Sequence, residues 1–243
     1  MIAAETYVSD GPYSKAESWK MFNRISRRYD FLNRFLSFGL DVFWRKSIAR
    51  YLPQTPDLKI LDLATGTGDV LIYLLKKAQN IKSAVGIDMA QEMLKIGKAK
   101  IEKFGLADKA RLEEGDINQI PFGENQFDAI TIAFGIRNVE EPSRVLTGMF
   151  RTLKKGGRAL ILEFSLPQNA FIRAVYLVYL RHIMPVLGAL ISGDFKAYSY
   201  LNKTVEAFPN SDVFCRLMRD AGFSNVKANP ATFGVGTIYQ GDK

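Results

Sequence analysis

Two glycines and four aspartates stand where an α/β chain handles a ligand. In "LDLATGTGDV", Gly66 and Gly68 follow a short apolar run that reads as a buried strand. Glycine there lets the backbone approach a ligand closely and take torsions that other residues avoid. In open α/β sheets, ligands bind beyond the carboxyl ends of strands at the switch point. Taken alone, the turn is equally a plain tight link, but its spacing removes two alternatives. The dinucleotide fingerprint needs glycine at position 71, which is Leu71, and the Gly-Lys-Ser/Thr of a phosphate-binding loop is absent. The turn is therefore not built for a pyrophosphate. Asp62 precedes it and Asp69 follows it directly. Asp88 ends a second strand about 20 residues on, where an acid accepts both ribose hydroxyls. Asp116 ends a third, in "EEGDINQIPF", placed to meet an adenine amino group.

Each acid alone is compatible with a solvated strand end. Gly66, Gly68, Asp88 and Asp116 at three consecutive strand ends suit a ligand with a ribose, an adenine and a positive charge but no phosphates. S-adenosylmethionine fits, and Met89 and Ile117, each following one of the acids, join the expected lining. A fourth strand, "FDAITIAF", opens onto Gly135, Arg137 and Asn138. Arg137 cannot act as a base, because guanidinium stays protonated in proteins. It suits a fixed cation beside a developing anion, or a cap or ion-pair partner for Glu140 or Glu141. Asn138 fits a loop-holding role better than a substrate contact.

Hydrophobic periodicity supplies the elements that position these groups. Residues 15–51 read as helical, with Phe22, Ile25, Tyr29, Leu32 and Leu36 recurring at three- and four-residue steps. Strands "LKILDLA", "SAVGID", "ARLEEGD", "FDAITIAF" and "RALILEFS" then alternate with helices, the last of these, "PSRVLTGMFRTLKKGG", expected to end at Gly156–Gly157. That rhythm implies right-handed βαβ units and a parallel sheet. A helical insertion breaks it after Ser165, and "SNVKANP" and "FGVGTIYQG" close the chain as an antiparallel pair.

Composition narrows the function classes. The 243 residues are 47% hydrophobic, with 33 Lys+Arg against 25 Asp+Glu, a formal charge of +8. Such a surface can meet nucleic acid, an anionic membrane or an acidic substrate. With Cys215 and His182 the only residues of their kinds, an intrachain disulfide and a His/Cys zinc site are excluded. No metal is expected. Cys215 reads as small and buried, and His182 as structural or solvated. The start "MIAAETYVSDGPYSK" shows no basic n-region and no apolar h-region, so no secretory signal and a reducing, cytoplasmic setting are expected. Ala170–Ser192 is apolar, but Arg173, Arg181, His182 and Pro185 interrupt it, which makes it a poor membrane span. It suits a membrane-facing surface, contact with a greasy substrate, or packing on the sheet.

With "MFNRISRRYDFLNRFLSFGLDVFWRK", "LDLATGTGD", "IPFGENQFDAITIAFGIRN", "LKKGGRALILEFSLP" and "YSYLNKTVEAFP" together, the chain resembles the ubiquinone/menaquinone-biosynthesis C-methyltransferases from about Lys15 to Gly241. The resemblance implies a Rossmann-like α/β class I methyltransferase fold with a seven-stranded, mostly parallel sheet and an antiparallel last strand. One methyltransferase domain, 1–243, is expected, with a helical cap (15–51), a cofactor-binding core (57–165), a helical insertion (166–209) and a C-terminal helix with antiparallel strands (210–243). Carried over by position, cofactor contacts fall on Thr67, Asp88 and Asp116. A serine often found just before the Phe-Gly pair is Ala133 here, which removes one hydroxyl contact. The implied reaction is ring C-methylation of a polyprenylated quinol, a naphthoquinol or a benzoquinol. Tyr29 and Asp30 are lesser catalytic candidates in the aromatic, arginine-rich cap, which suits peripheral contact with lipid. Homo-oligomer formation is left open.

A nucleic-acid methyltransferase is disfavoured: the Asn/Asp-Pro-Pro-aromatic turn is replaced by Phe134-Gly135-Ile136-Arg137, and Cys215 is misplaced for cytosine C5 chemistry. A non-catalytic S-adenosylmethionine binder fits poorly with the FGIRN strand end. A soluble phenol or sterol remains the nearest alternative substrate.

Overall fold

The computed structural model describes residues 15–192 and 195–243. The first fourteen residues, where a leader was sought, and residues 193 and 194 of the insertion lie outside them. Seven strands, β1 (Leu58–Leu63), β2 (Ile81–Asp88), β3 (Ala110–Glu114), β4 (Phe127–Ala133), β5 (Leu153–Phe164), β6 (Ser224–Ala231) and β7 (Gly236–Asp242), form one sheet in the order β3-β2-β1-β4-β5-β7-β6. The first five run parallel and β7 is antiparallel to both β5 and β6. Order reverses between β1 and β4, which creates the switch-point crevice.

Both faces of the sheet are covered, as its unbroken apolar runs require. On one side α5 (Pro142–Thr152) and α9 (Ser211–Asp220) pack with Ile130, Ile132, Ile161 and Tyr239; Cys215 lies in this cluster as a buried apolar residue. On the other, α2 (Leu40–Ser47), α3 (Asp69–Lys77) and α4 (Gln91–Lys103) pack with Ile60, Leu71, Leu112 and Leu160. A third cluster joins α1 (Ser18–Leu36) to the insertion, α6 (Ala170–Val178), a π-helical turn (Tyr179–Ile183), α7 (Met184–Ser192) and α8 (Phe195–Ala207), through Met21, Leu32, Leu180, Met184 and Tyr200. The insertion thus packs chiefly on the cap helix, not on the sheet.

Two boundaries differ from the sequence reading. The cap helix is interrupted at Phe38 and Gly39, both with positive φ (52° and 78°), where Gly39 N–H closes onto Arg34 O at 2.7 Å. The helix expected to run to Gly157 stops at Thr152. Leu153 is buried opposite Phe127, and Gly156 and Gly157 exchange backbone bonds with Lys243 at 2.7 and 3.0 Å, so burial and sheet pairing override the helical pattern.

Candidate functional site

Register assembles the site. Leu63 pairs with both Ile87 and Ile132, so the residues that follow them, Ala64, Asp88 and Ala133, lie side by side at the carboxyl edge. The glycine turn springs from there with three positive φ values, Ala64 (49°), Gly66 (55°) and Gly68 (75°). Gly66 N–H donates to Asp88 Oδ2 and Ala90 N–H to Oδ1, each at 2.8 Å. Asp88 thereby ties the turn to the start of α4. A carboxylate oxygen accepts more than one bond, so both oxygens retain capacity for a ribose diol. Burial pushes the Asp88 carboxyl up, and the backbone donors of Ala90, Gly66 and Met89 pull it back. Asp116 Oδ1 accepts from the backbone and side-chain nitrogens of Asn118 at 2.8 and 2.9 Å.

A cleft of about 320 Å³ opens here, lined by Gly66, Asp88, Met89, Asp116, Ile117 and Ala133, together with Trp19, Phe22 and Tyr29 of the cap. Three of the expected cofactor residues do not line it. The Thr67 hydroxyl donates to Asp30 Oδ1 at 2.7 Å and accepts from Lys100 Nζ at 3.0 Å. Lys100 also bridges Asp30 and Asp69, and Arg34 reaches Asp69 at 3.2 Å. This network clamps α1 onto the turn, which gives Asp30 a positioning contact in place of a place in the cleft. Gly68 shapes the turn beneath Leu112 and Gly97.

Asp62 is buried beneath the turn, where Thr131 Oγ1 donates to it at 2.5 Å. Burial pushes its carboxyl up to about 7, against the Thr131 bond. The folded protein therefore holds a proton there that the unfolded chain releases near pH 4. Stability from this group is present below pH 4 and lost as pH rises through about 7, by up to about 4 kcal/mol. In thermal melts between pH 5 and 8, Asp62→Asn is expected to flatten the decline seen in the wild type. An equally steep decline in the variant would refute that assignment.

The strand end at Phe134 is more constrained than the sequence suggested. The left-handed torsion falls on Phe134 (φ 59°), not on Gly135 (φ −108°). Gly135 is required by approach: a Cβ there would lie 2.7 Å from that of Ala64. Register places Phe134 opposite Glu163, because Ala133 pairs with Leu162. Arg137 consequently pairs with Glu163 (2.7 Å) and donates to Phe134 O (2.6 Å), not to Glu140 or Glu141. The pair is buried, Glu163 completely and Arg137 to 5% exposure. Burial pushes the Glu163 carboxyl up while Arg137 draws it down. Arg137 is thus a compensated cation, presenting a dipole to its surroundings.

Arg137 and Asn138 face a second cavity, of about 200 Å³, walled largely by Met21, Ile25, Trp44, Phe164, Tyr176 and Met184. Phe22, Tyr29, Phe134 and Asn138 line both cavities, so the two meet at the end of β4. Arg137 Nε, Asn138 Oδ1 and the Tyr176 hydroxyl are buried without hydrogen-bond partners. Asp41 is the carboxylate in this lining. It accepts from Ser37 Oγ at 2.7 Å and pairs with Arg45, whose guanidinium lies 4.9 Å from the Phe134 ring. Burial pushes the Tyr29 hydroxyl up, opposed by Arg45 and Arg137.

Sequence reasoning missed Glu163, Asp41 and Tyr176. An acid inside the apolar run "LILEF" and the Asp41–Arg45 pair at i,i+4 were usable signals. His182 is exposed on the insertion, away from both cavities.

This sheet order, with Asp88 closing β2 and no phosphate-loop motif, is that of the class I methyltransferase fold. Solved structures agree on the fold: an S-adenosylmethionine-dependent methyltransferase of Thermotoga maritima superposes with a TM-score of 0.64 at 19% identity, covering 93% of this chain and 99% of that one. A methyltransferase of Methanococcus maripaludis gives 0.61 at 20% identity, over 97% of each chain. The ubiE/COQ5 methyltransferase family matches residues 13–243, and the chain belongs to that family. It is 44% identical to the demethylmenaquinone methyltransferase of Thermus thermophilus, over 92% of this chain and all of that one. It is 42% identical to the ubiquinone/menaquinone biosynthesis C-methyltransferase UbiE of Geotalea daltonii, over 92% and 95%.

Proposed function

We propose that this enzyme transfers a methyl group from S-adenosylmethionine to a ring carbon of a polyprenylated quinol, methylating demethylmenaquinol to menaquinol, or a 2-polyprenyl-6-methoxy-1,4-benzoquinol, or both substrates. The observation that carries the reading is the apolar, aromatic cavity meeting the acid-lined cleft at Phe22, Tyr29, Phe134 and Asn138. The names of the relatives in Thermus thermophilus and Geotalea daltonii point to the same substrates.

S-adenosylmethionine supplies an electrophilic methyl carbon on a sulfonium. Asp88 would accept from the ribose hydroxyls and Asp116 from the adenine amino group, while Gly66, Met89, Ile117 and Ala133 shape the cleft. Asp62, Thr67 and Gly68 act from beneath by holding the turn. Positioning two reactants for in-line displacement accounts for much of the acceleration. The ring carbon becomes nucleophilic as a neighbouring hydroxyl loses its proton, which from a phenol of pKa about 10 costs about 4 kcal/mol at neutral pH. The unpartnered Arg137 Nε and Tyr176 hydroxyl donate to quinol oxygens and favour the anion; Asn138 Oδ1 accepts from the remaining hydroxyl. Asp41 takes the proton, directly or through Ser37 Oγ. Its partner Arg45 lies over the ring of Phe134, which lines both cavities, and this supports the assignment.

We place the enzyme in the cytoplasm, peripheral to the inner face of the membrane, with the prenyl tail leaving between the cap and the insertion. Incubation with a demethylated prenyl quinone, a reductant and methyl-labelled S-adenosylmethionine is expected to put label on ring carbon. No label in the quinone, or label on oxygen, overturns the reading.

A further inference from the structure

The insertion helix combines high apolarity with low burial. Ala170–Gly188 has the length and hydropathy (1.4) of a membrane-crossing helix, yet only 17% of its most apolar stretch is buried. Phe171, Val175, Val178 and Val186 recur at steps of four, three and eight, with exposures from 53% to 77%. Such steps gather them on one helical face. The other face is committed to the domain: Leu180 and Met184 pack with Met21 and Leu32 of α1, and Tyr176 and Tyr179 line the aromatic cavity. A helix held along one side in this way lies flat and does not cross a bilayer.

Two further phenylalanines stand beside it, one at its middle and one at its N-terminal end. Phe38 meets the Tyr179 ring at 6.1 Å, and Phe233 adjoins Gly234, which packs on Pro167 just ahead of α6. Both rings are about four-fifths exposed and both residues have positive φ, 52° and 57°. A left-handed torsion is unfavourable for a residue with a Cβ, and no burial of the ring offsets it. Within the segment that carries this face the charged residues are basic. Leu166 to Ser192 contains Arg173, Arg181 and His182 and no acidic residue. Arg181 shares its charge with Glu206, whereas Arg173 binds only the carbonyls of Pro167 and Gln168 and keeps its own.

We propose that the face of α6 and α7 bearing Phe171, Val175, Val178 and Val186 docks on an anionic lipid bilayer, with Phe38 entering the interface beside the middle of the helix and Phe233 at its N-terminal end. Apolar burial and basic residues together suit that surface. Because Phe38 also lines the aromatic cavity, docking opens that cavity toward the acyl chains. This purpose rests on the quinol reading; the docking itself does not.

The test is co-sedimentation of the full chain with phosphatidylcholine vesicles, with and without phosphatidylglycerol. Wild type is expected to partition onto the anionic vesicles, less so in high salt. Val175→Asp combined with Val178→Asp touches neither cavity. It is expected to keep its melting temperature and its turnover of a short-chain, water-soluble demethylated quinol. Its vesicle partition, and its turnover of long-chain quinol held in vesicles, should each fall roughly tenfold or more. No partition by wild type, or equal partition by the variant, overturns the proposal. So does a lipid-free wild type that self-associates where the variant is monomeric, since the face would then join copies of this chain. Intact partition with no methylation of the soluble quinol would sink the substrate reading and leave docking standing.

Discussion

Arg137→Ala is expected to lower kcat by roughly a hundredfold or more, through loss of a donor aimed at the forming phenolate. The same change strands Glu163, which is completely buried, and removing one partner of a buried ion pair typically costs about 3–5 kcal/mol. A lower melting temperature therefore accompanies the loss of turnover, and the single variant alone cannot separate the two effects. Arg137→Ala with Glu163→Gln can. Without the stranded charge, most of the stability should return while turnover stays low. Calorimetry should find S-adenosylmethionine affinity little changed, since Arg137 faces the aromatic cavity and not the cleft. Recovery of turnover together with stability would reduce Arg137 to a structural prop.

Asp41→Asn is expected to lower kcat about a hundredfold at neutral pH, within the usual range for a general base. The pH profile distinguishes this from mere loosening of the cap. Without a protein acceptor, the substrate must arrive already ionised. The residual rate should therefore climb about tenfold per pH unit toward the phenol's own pKa near 10. The wild-type profile should be flatter, because Asp41 removes the proton within the complex. Parallel slopes for variant and wild type would exclude Asp41 as the acceptor. Arg45 loses its buried partner in this variant, so a lower melting temperature is expected as well and does not bear on the assignment.

The cofactor half of the site was legible because it depends on local chain. Strand ends fall where apolar runs stop, and Asp88 and Asp116 are the acids at two such ends. The positive torsions of Gly66 and Gly68 are properties of one turn. Even there, side-chain direction was not visible: Thr67 turns from the cleft to Asp30, 37 residues earlier. The aromatic cavity is built from residues far apart in sequence. Arg137 and Glu163 meet through the pairing of β4 with β5, while Asp41 reaches the same cavity from the cap.

Motif resemblance supplied the methyltransferase family; residue types and spacing by themselves pointed to a parallel α/β sheet, an S-adenosylmethionine-like ligand without phosphates, and an arginine just past the fourth strand. Those follow from hydrophobic period and from what each side chain can donate or accept. Only the tertiary structure decided which charge neutralises Arg137, which carboxylate lines the aromatic cavity, and that the insertion packs on the cap with its apolar side outward. Such pairings are set by sheet register and helix packing, where burial makes an unmatched charge costly, and no local stretch of sequence encodes them.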